Sequence, residues 1–424
     1  MKTQRVWRLV IGSLGKAQVA YRVIASAGLL AIAAFMLAAP CGCRGGSDSA
    51  KSVEEGRMAV LPAPCFAAAW RAELPLREGT QLRRLSLSDD RVFAYTSDNY
   101  CFWINRNSGF VSAVTQSARP QDTLYNAVVT GNRVVFPSTT RLTVFDLAGK
   151  PLHTVNLKYG ASTGAVGYRG MVYLGVDHPN GGRLNAVSSA YQPYDISPEW
   201  ELMTRGAVSA APAAADERVY VASRDGNVYA VRADNRDPIW PGLEDACFRT
   251  GGPILADLAV DREGLYVASM DSKLYCLDLS TGRVRWTFYA GQPLDENSAP
   301  VPAGNYVFIY IPRQGLVAIE KAGRQEIRRA RWVLPEGRQF LAADDKYAYV
   351  LLADRTMAAV DKQTGQVAFR SQRNDLTIFA INTSPKDSTI YAARPDGRVY
   401  GIRAVLRPGA VGEVVMADET AWRR

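Results

Sequence analysis

Histidine is nearly missing from this chain: of 424 residues only His153 and His178 carry an imidazole. Neither has a Cys or His partner at ligand spacing, so a zinc centre has nothing to be built from. His153 reads as a packed residue and His178, in the turn "VDHPNGGRL", as a loop residue. Cysteine is sparse as well. Cys41, Cys43, Cys65, Cys101, Cys247 and Cys276 include no adjacent pair and no Cys-x-x-Cys-His haem site. There is no phosphate-binding loop, which removes the P-loop enzymes. Acidic residues are absent from the first 43 positions.

That last absence accounts for much of the charge. The formal net charge is +9, but Lys2, Arg5, Arg8, Lys16 and Arg22 all precede residue 44. Without them 45 basic residues face 41 acidic ones, a balance that gives no footprint for nucleic acid. With 21% charged and 47% hydrophobic residues the chain as a whole has the composition of ordinary globular protein.

The first 43 residues read as an export leader. A basic stretch ends at Arg22, and Val23 to Pro40 is an uncharged, mostly apolar run of 18 residues. Three forms fit: a lipoprotein signal with Cys41 or Cys43 as the lipidated residue, a cleaved secretory signal, and an uncleaved apolar anchor. Pro40 stands before Cys41 where a lipoprotein signal prefers a small residue. All three forms place the body outside the cytoplasm. Residues 44–64, polar and then Pro-rich, read as a flexible tether.

What the chain has in quantity is a repeat. "ADERVYVASRDGNVYAV" (Ala215–Val231) returns as "VDREGLYVASMDSKLYCL" (Val260–Leu277) and "ADDKYAYVLLADRTMAAV" (Ala343–Val360). It recurs also near Leu87–Ile104 and Pro385–Ile402. Each copy is a polar turn, a short apolar strand, a Gly/Asp/Asn turn and a second strand, the signal of antiparallel hairpins. Asn105 to Asp146 is 41 residues and Asp278 to Asp361 is 83, about two such steps. A period near 41 with four strands per unit predicts propeller blades. The units fall at about 84–117, 124–158, 163–204, 208–251, 253–291, 297–337, 338–373 and 376–410. The last offers three strands, and "AAAWRAELP" (Ala67–Pro75) is expected to supply its missing outer strand. The predicted fold is therefore an all-β, eight-bladed propeller over residues 65–410, with seven blades as the alternative and residues 411–424 as a tail.

One motif carries a family resemblance. "CLDLSTGRVRW" holds Asp278, Thr281, Gly282 and Trp286, and "AVDKQTGQVAF" holds Asp361, Thr364, Gly365 and Phe369. Both resemble the blade pattern A-x-D-x-x-T-G-K-x-x-W of the quinoprotein-type (PQQ-like repeat) propeller family. Looser copies keep Asn105, Ser108 and Gly109, or Asp146 and Gly149 with His153 in the aromatic slot. Trp70, Trp200, Trp240 and Trp332 occupy places comparable with Trp286. Asp and Thr can bond the backbone of a tight turn, Gly supplies dihedral freedom, and the indole can lie on the next blade. The motif reads as a girdle between blades.

Two functions follow from the resemblance. The first is a non-catalytic, exported interaction scaffold like the propeller lipoprotein of the outer-membrane β-barrel assembly machinery. It would bind other envelope proteins, need no cofactor, and be held at a membrane by a lipid or apolar anchor. The alternative is a quinone-dependent dehydrogenase with Ca²⁺ at the propeller axis. Its relatives often carry a disulfide between adjacent cysteines, which this chain lacks. A convergent acid/amide cluster would favour the dehydrogenase, and an axis of small apolar residues would oppose it. The Arg-rich run Glu320–Trp332 is expected to form a solvated outer hairpin, or a contact for an acidic partner or lipid headgroups. Nothing in the sequence sets the oligomeric state.

Overall fold

The computed structural model describes residues 63–407 apart from 89, 191–197, 241 and 243–245. The leader with Cys41 and Cys43, nearly all of the tether, and the tail lie outside the described residues.

Apolar patterning decides which strands lie inside. Second and third strands such as "LYVAS" (Leu265–Ser269) and "LYCL" within Lys273–Leu277 are apolar on consecutive residues and buried on both faces. Outer strands alternate: Val367–Arg370 and Pro151–Asn156 leave every second residue more exposed. A strand sandwiched between two neighbouring blades must be apolar on both sides, whereas a rim strand needs only one apolar face. Repeated around a ring, this arrangement gives eight four-stranded antiparallel blades, an eight-bladed β-propeller.

The third unit, the most irregular in sequence, keeps all four strands, Ala161–Tyr168, Met171–His178, Gly181–Ser188 and Trp200–Met203. That removes the seven-bladed alternative. The eighth blade closes with an N-terminal strand, which runs Ala63–Glu73 and begins earlier than the repeat suggests. It pairs antiparallel with Arg398–Arg407, with Cys65 opposite Val405, Trp70 opposite Gly401 and Glu73 opposite Arg398. A Cβ on Gly401 would lie 2.4 Å from the Trp70 indole nitrogen, so glycine is what lets the ring lie across that strand. The last strand is thereby paired rather than left as an open edge.

The Arg-rich run departs from expectation. It does not form an outer hairpin of one blade: Ile327–Arg328 adds in parallel to Val284–Tyr289 at the rim of blade 5, and Ala330–Leu334 becomes the outer strand of blade 6. The insertion after Glu320 lengthens the blade 6 turn enough to reach back across the junction, which local alternation could not reveal.

Strand direction sorts the loops. The hairpins between second and third strands share one face of the disc with the connections between blades. The turns between first and second strands, and between third and fourth, occupy the other. Among the described residues no helix is long and apolar enough to cross a membrane.

Candidate functional site

The motif turns lie on the second of these faces, and their chemistry is local. Asp278 Oδ1 accepts the backbone N–H groups of Ser280 and Thr281, each at 3.0 Å, and both hydroxyls, while Arg285 donates to Oδ2. Asp361 Oδ1 accepts from Gln363 N and Thr364 N in the same way, and in blade 1 Asn105 Oδ1 does so with Asn107 and Ser108. Bonds from the Ser280 hydroxyl, Arg285 and Thr281 hold Asp278 well below the usual carboxylate range. Asp361 is also lowered, chiefly by the Thr364 N–H.

Each turn closes with a glycine at positive φ whose N–H returns to the first residue: Gly109 to Asn105 O, Gly282 to Asp278 O, Gly365 to Asp361 O. The carbonyl of the turn's second residue, the one after Asp278, Asp361 or Asn105 and after Arg232 in blade 4, then points out of the turn, and needs a donor where it is buried. The neighbouring blade supplies it. Trp70 Nε1 donates to Arg106 O (2.9 Å), Trp200 to Ala233 O (3.3 Å), Trp240 to Leu279 O (3.1 Å) and Trp332 to Lys362 O (2.9 Å). Three of these carbonyls take a second donor, the hydroxyl of a tyrosine in the middle of the tryptophan's own blade. Tyr173 reaches Ala233 O at 2.7 Å, Tyr220 reaches Leu279 O at 3.2 Å, and Tyr391 reaches Arg106 O at 3.4 Å. Each ring lies 5.6–6.0 Å from its tryptophan. The motif reading named the tryptophans and missed the tyrosines. The signal was present: Phe93, Tyr173, Tyr220, Tyr266, Phe308, Tyr349 and Tyr391 recur at the second or third position of the second strand in seven blades, with Val135 in blade 2.

The other junctions substitute different chemistry. At the first, Ala113 takes the tryptophan slot, Gly149 packs on it, and Trp103 fills the space with Phe136 and Phe145. Phe369 meets Phe66 at 5.0 Å between blades 7 and 8. Trp286 packs on Tyr266 and under Arg328. There the buried ammonium of Lys321 bonds Asp261 and Gly304 O instead. His153 lies on an outer strand, its pKa lowered by burial and by Arg133. His178 Nδ1 accepts from Asn180 N, and its ring meets Tyr159 edge-on.

A quinone with Ca²⁺ needs a convergent donor set near the axis. Among the described residues no group of three or more His, Cys, Asp or Glu side chains is placed to hold a metal ion. First strands include Ala213–Ala215, Ala259–Val260 and Val301–Ala303, small and aliphatic rather than acidic. Cys65, Cys101, Cys247 and Cys276 are buried free thiols. What the disc does offer is two rings of polar loops, and a cavity of about 440 Å³ near the axis beside blades 6 and 7.

Residues 138–287 and 248–406 match the family model described as "Outer membrane protein assembly factor BamB". No curated protein matches the chain in sequence. Among solved structures, BamB from Moraxella catarrhalis is similar with 18% identity and TM-score 0.59, over 80% of this chain and 97% of that one. The computationally designed Ika8 protein has 16% identity and TM-score 0.57, covering 80% and 100%. The quinohemoprotein alcohol dehydrogenase ADHIIG from Pseudomonas putida HK5 has 13% identity and TM-score 0.57, covering 83% and 78%. At these identities the structures share the fold alone.

Proposed function

The chain belongs to the propeller family whose model is described as outer membrane protein assembly factor BamB, and from that premise we propose that it is a non-catalytic scaffold of the bacterial cell envelope. In this role the disc is exported, held at a membrane by its N-terminal segment, and presents loops to other envelope proteins. The family match over more than half of the chain carries the reading. The girdle supports it: blades locked by aromatic rings and carbonyl bonds present their loops in a fixed arrangement, which lowers the ordering cost of binding.

The test is cross-linking of the tagged full-length protein in solubilised envelope membranes, followed by mass spectrometry. Recovery of the same envelope proteins in fixed proportion, cross-linked through blade loops, is expected. Recovery of the chain alone overturns the stable-scaffold reading and brings quinone and Ca²⁺ binding forward for direct titration.

A further inference from the structure

The face that carries the hairpins between second and third strands has a feature that the girdle does not use. The cavity of about 440 Å³ is floored by Phe308 and Phe340, stacked at 4.5 Å, and bordered by Leu351 and Ile381. A second, of about 410 Å³, is lined by Leu351, Leu376, Phe379 and Arg355. Leu351 is the wall between them. Ile381, which follows the first strand of blade 8, also lines the first cavity and is 42% exposed.

The rim is basic. Arg338 is held by its bond to the Tyr310 hydroxyl (3.0 Å), with its guanidinium over that ring, and makes no ion pair among the described residues. Arg355 and Arg313 sit at hairpin tips with φ of 67° and 65°. Comparable tips in blades 4 and 8 use Gly226 and Gly397, and those in blades 1 and 5 use Asn99 and Ser272. An arginine there accepts backbone strain that glycine avoids. The acids of this arc are engaged. Asp354 accepts from Thr356 within its own hairpin, Asp375 pairs with Arg373 and Arg394, Glu336 pairs with Arg370, and Asp295 caps Asn297 and Ser298. Glu296 is the exception.

From two adjoining apolar pits, one lined by Arg338 and the other by Arg355, both arginines free of ion pairs among the described residues, we infer that blades 6 to 8 form a docking groove for an extended acidic peptide segment carrying apolar side chains. Same-side residues of an extended chain recur about every 7 Å, so alternate apolar side chains can enter separate pits while the acidic ones meet the arginines. A bilayer surface could answer the charge but would not place side chains in pits. The inference deepens the scaffold reading, on which it rests for the choice of a protein partner.

The probe is a fluorescein-labelled octapeptide alternating Asp or Glu with Phe or Leu, titrated by anisotropy against the purified full chain. Its control carries Lys at every acidic position. Saturable binding of the acidic peptide alone is expected. It should weaken at least tenfold in Arg338→Glu/Arg355→Glu and remain unchanged in Arg262→Glu/Arg283→Glu, which alters net charge equally on the opposite face. Ile381→Ser, at an exposed position, should also weaken binding and serves if the first double variant fails to fold. Equal loss in both double variants, no binding, or displacement of the peptide by phosphatidylglycerol vesicles overturns the groove. Peptide binding without envelope cross-links removes the scaffold reading and leaves the groove. Cross-links without peptide binding do the reverse.

Discussion

The carbonyl of Lys362 depends on one indole. Trp332→Phe keeps most of the packing but removes the donor to a half-buried carbonyl, at a cost of about 1 kcal/mol. Trp286 has no such bond among the described residues, so Trp286→Phe should lower the melting temperature less, as thermal denaturation of the two variants will show. Gly365 is constrained twice. Its φ is 75°, and an added Cβ would lie 2.4 Å from Trp332 Cβ. Gly365→Ala should therefore cost about 2–4 kcal/mol, combining left-handed strain with overpacking. The motif carboxylates set an acid limit. Asp278 and Asp361 titrate below the ordinary carboxylate value of about 4. Their contribution is complete above the unfolded value and lost as pH falls through the folded ones. Asn105 builds the same turn without a charge, so Asp278→Asn/Asp361→Asn should fold at neutral pH and lose less melting temperature between pH 6 and pH 3. An unchanged slope would assign acid unfolding to other carboxylates.

At the scale of the strand and junction, the joint between blades 5 and 6 differs in kind from its neighbours. Lys321 is 6% exposed and holds Asp261, whose other oxygen accepts from Tyr266. Lys321→Met leaves that carboxylate without its cation. Removing one partner of a wholly buried pair costs about 3–5 kcal/mol. Asp261 is about a quarter exposed, so about 2–3 kcal/mol is expected here, measurable by urea denaturation. The closing strand makes a different demand. Removing residues 63–73 would bare the long edge of Arg398–Arg407 and take Trp70 from the joint with blade 1. The truncated chain should self-associate by edge pairing and be cleaved rapidly by protease, whereas an intact monomer by size-exclusion chromatography would show that the ring closes without it.

For the whole molecule, anchoring is the open mechanical question of the proposed function. If the leader carries a lipid, radiolabelled palmitate should enter the full chain, and Cys41→Ser/Cys43→Ser should abolish labelling and release the protein from membranes. Unlabelled wild type that stays in the membrane fraction would assign anchoring to the apolar run instead.

The sequence by itself determined the repeat, the blade count with one alternative, the closure by the N-terminal strand and the tryptophan positions. These are legible because they arise from short-range patterning: Asp and Thr bonded within one turn, apolar runs in strands covered on both sides, a period near 41. Tertiary structure decided the rest. That Tyr173 and Trp200 share the Ala233 carbonyl depends on how two blades meet. So does the reach of Ile327–Arg328 back to blade 5, and the gathering of Arg338, Leu351, Leu376 and Ile381 from two blades around two cavities. No local pattern encodes a contact between residues tens of positions apart; the geometry of the closed ring does.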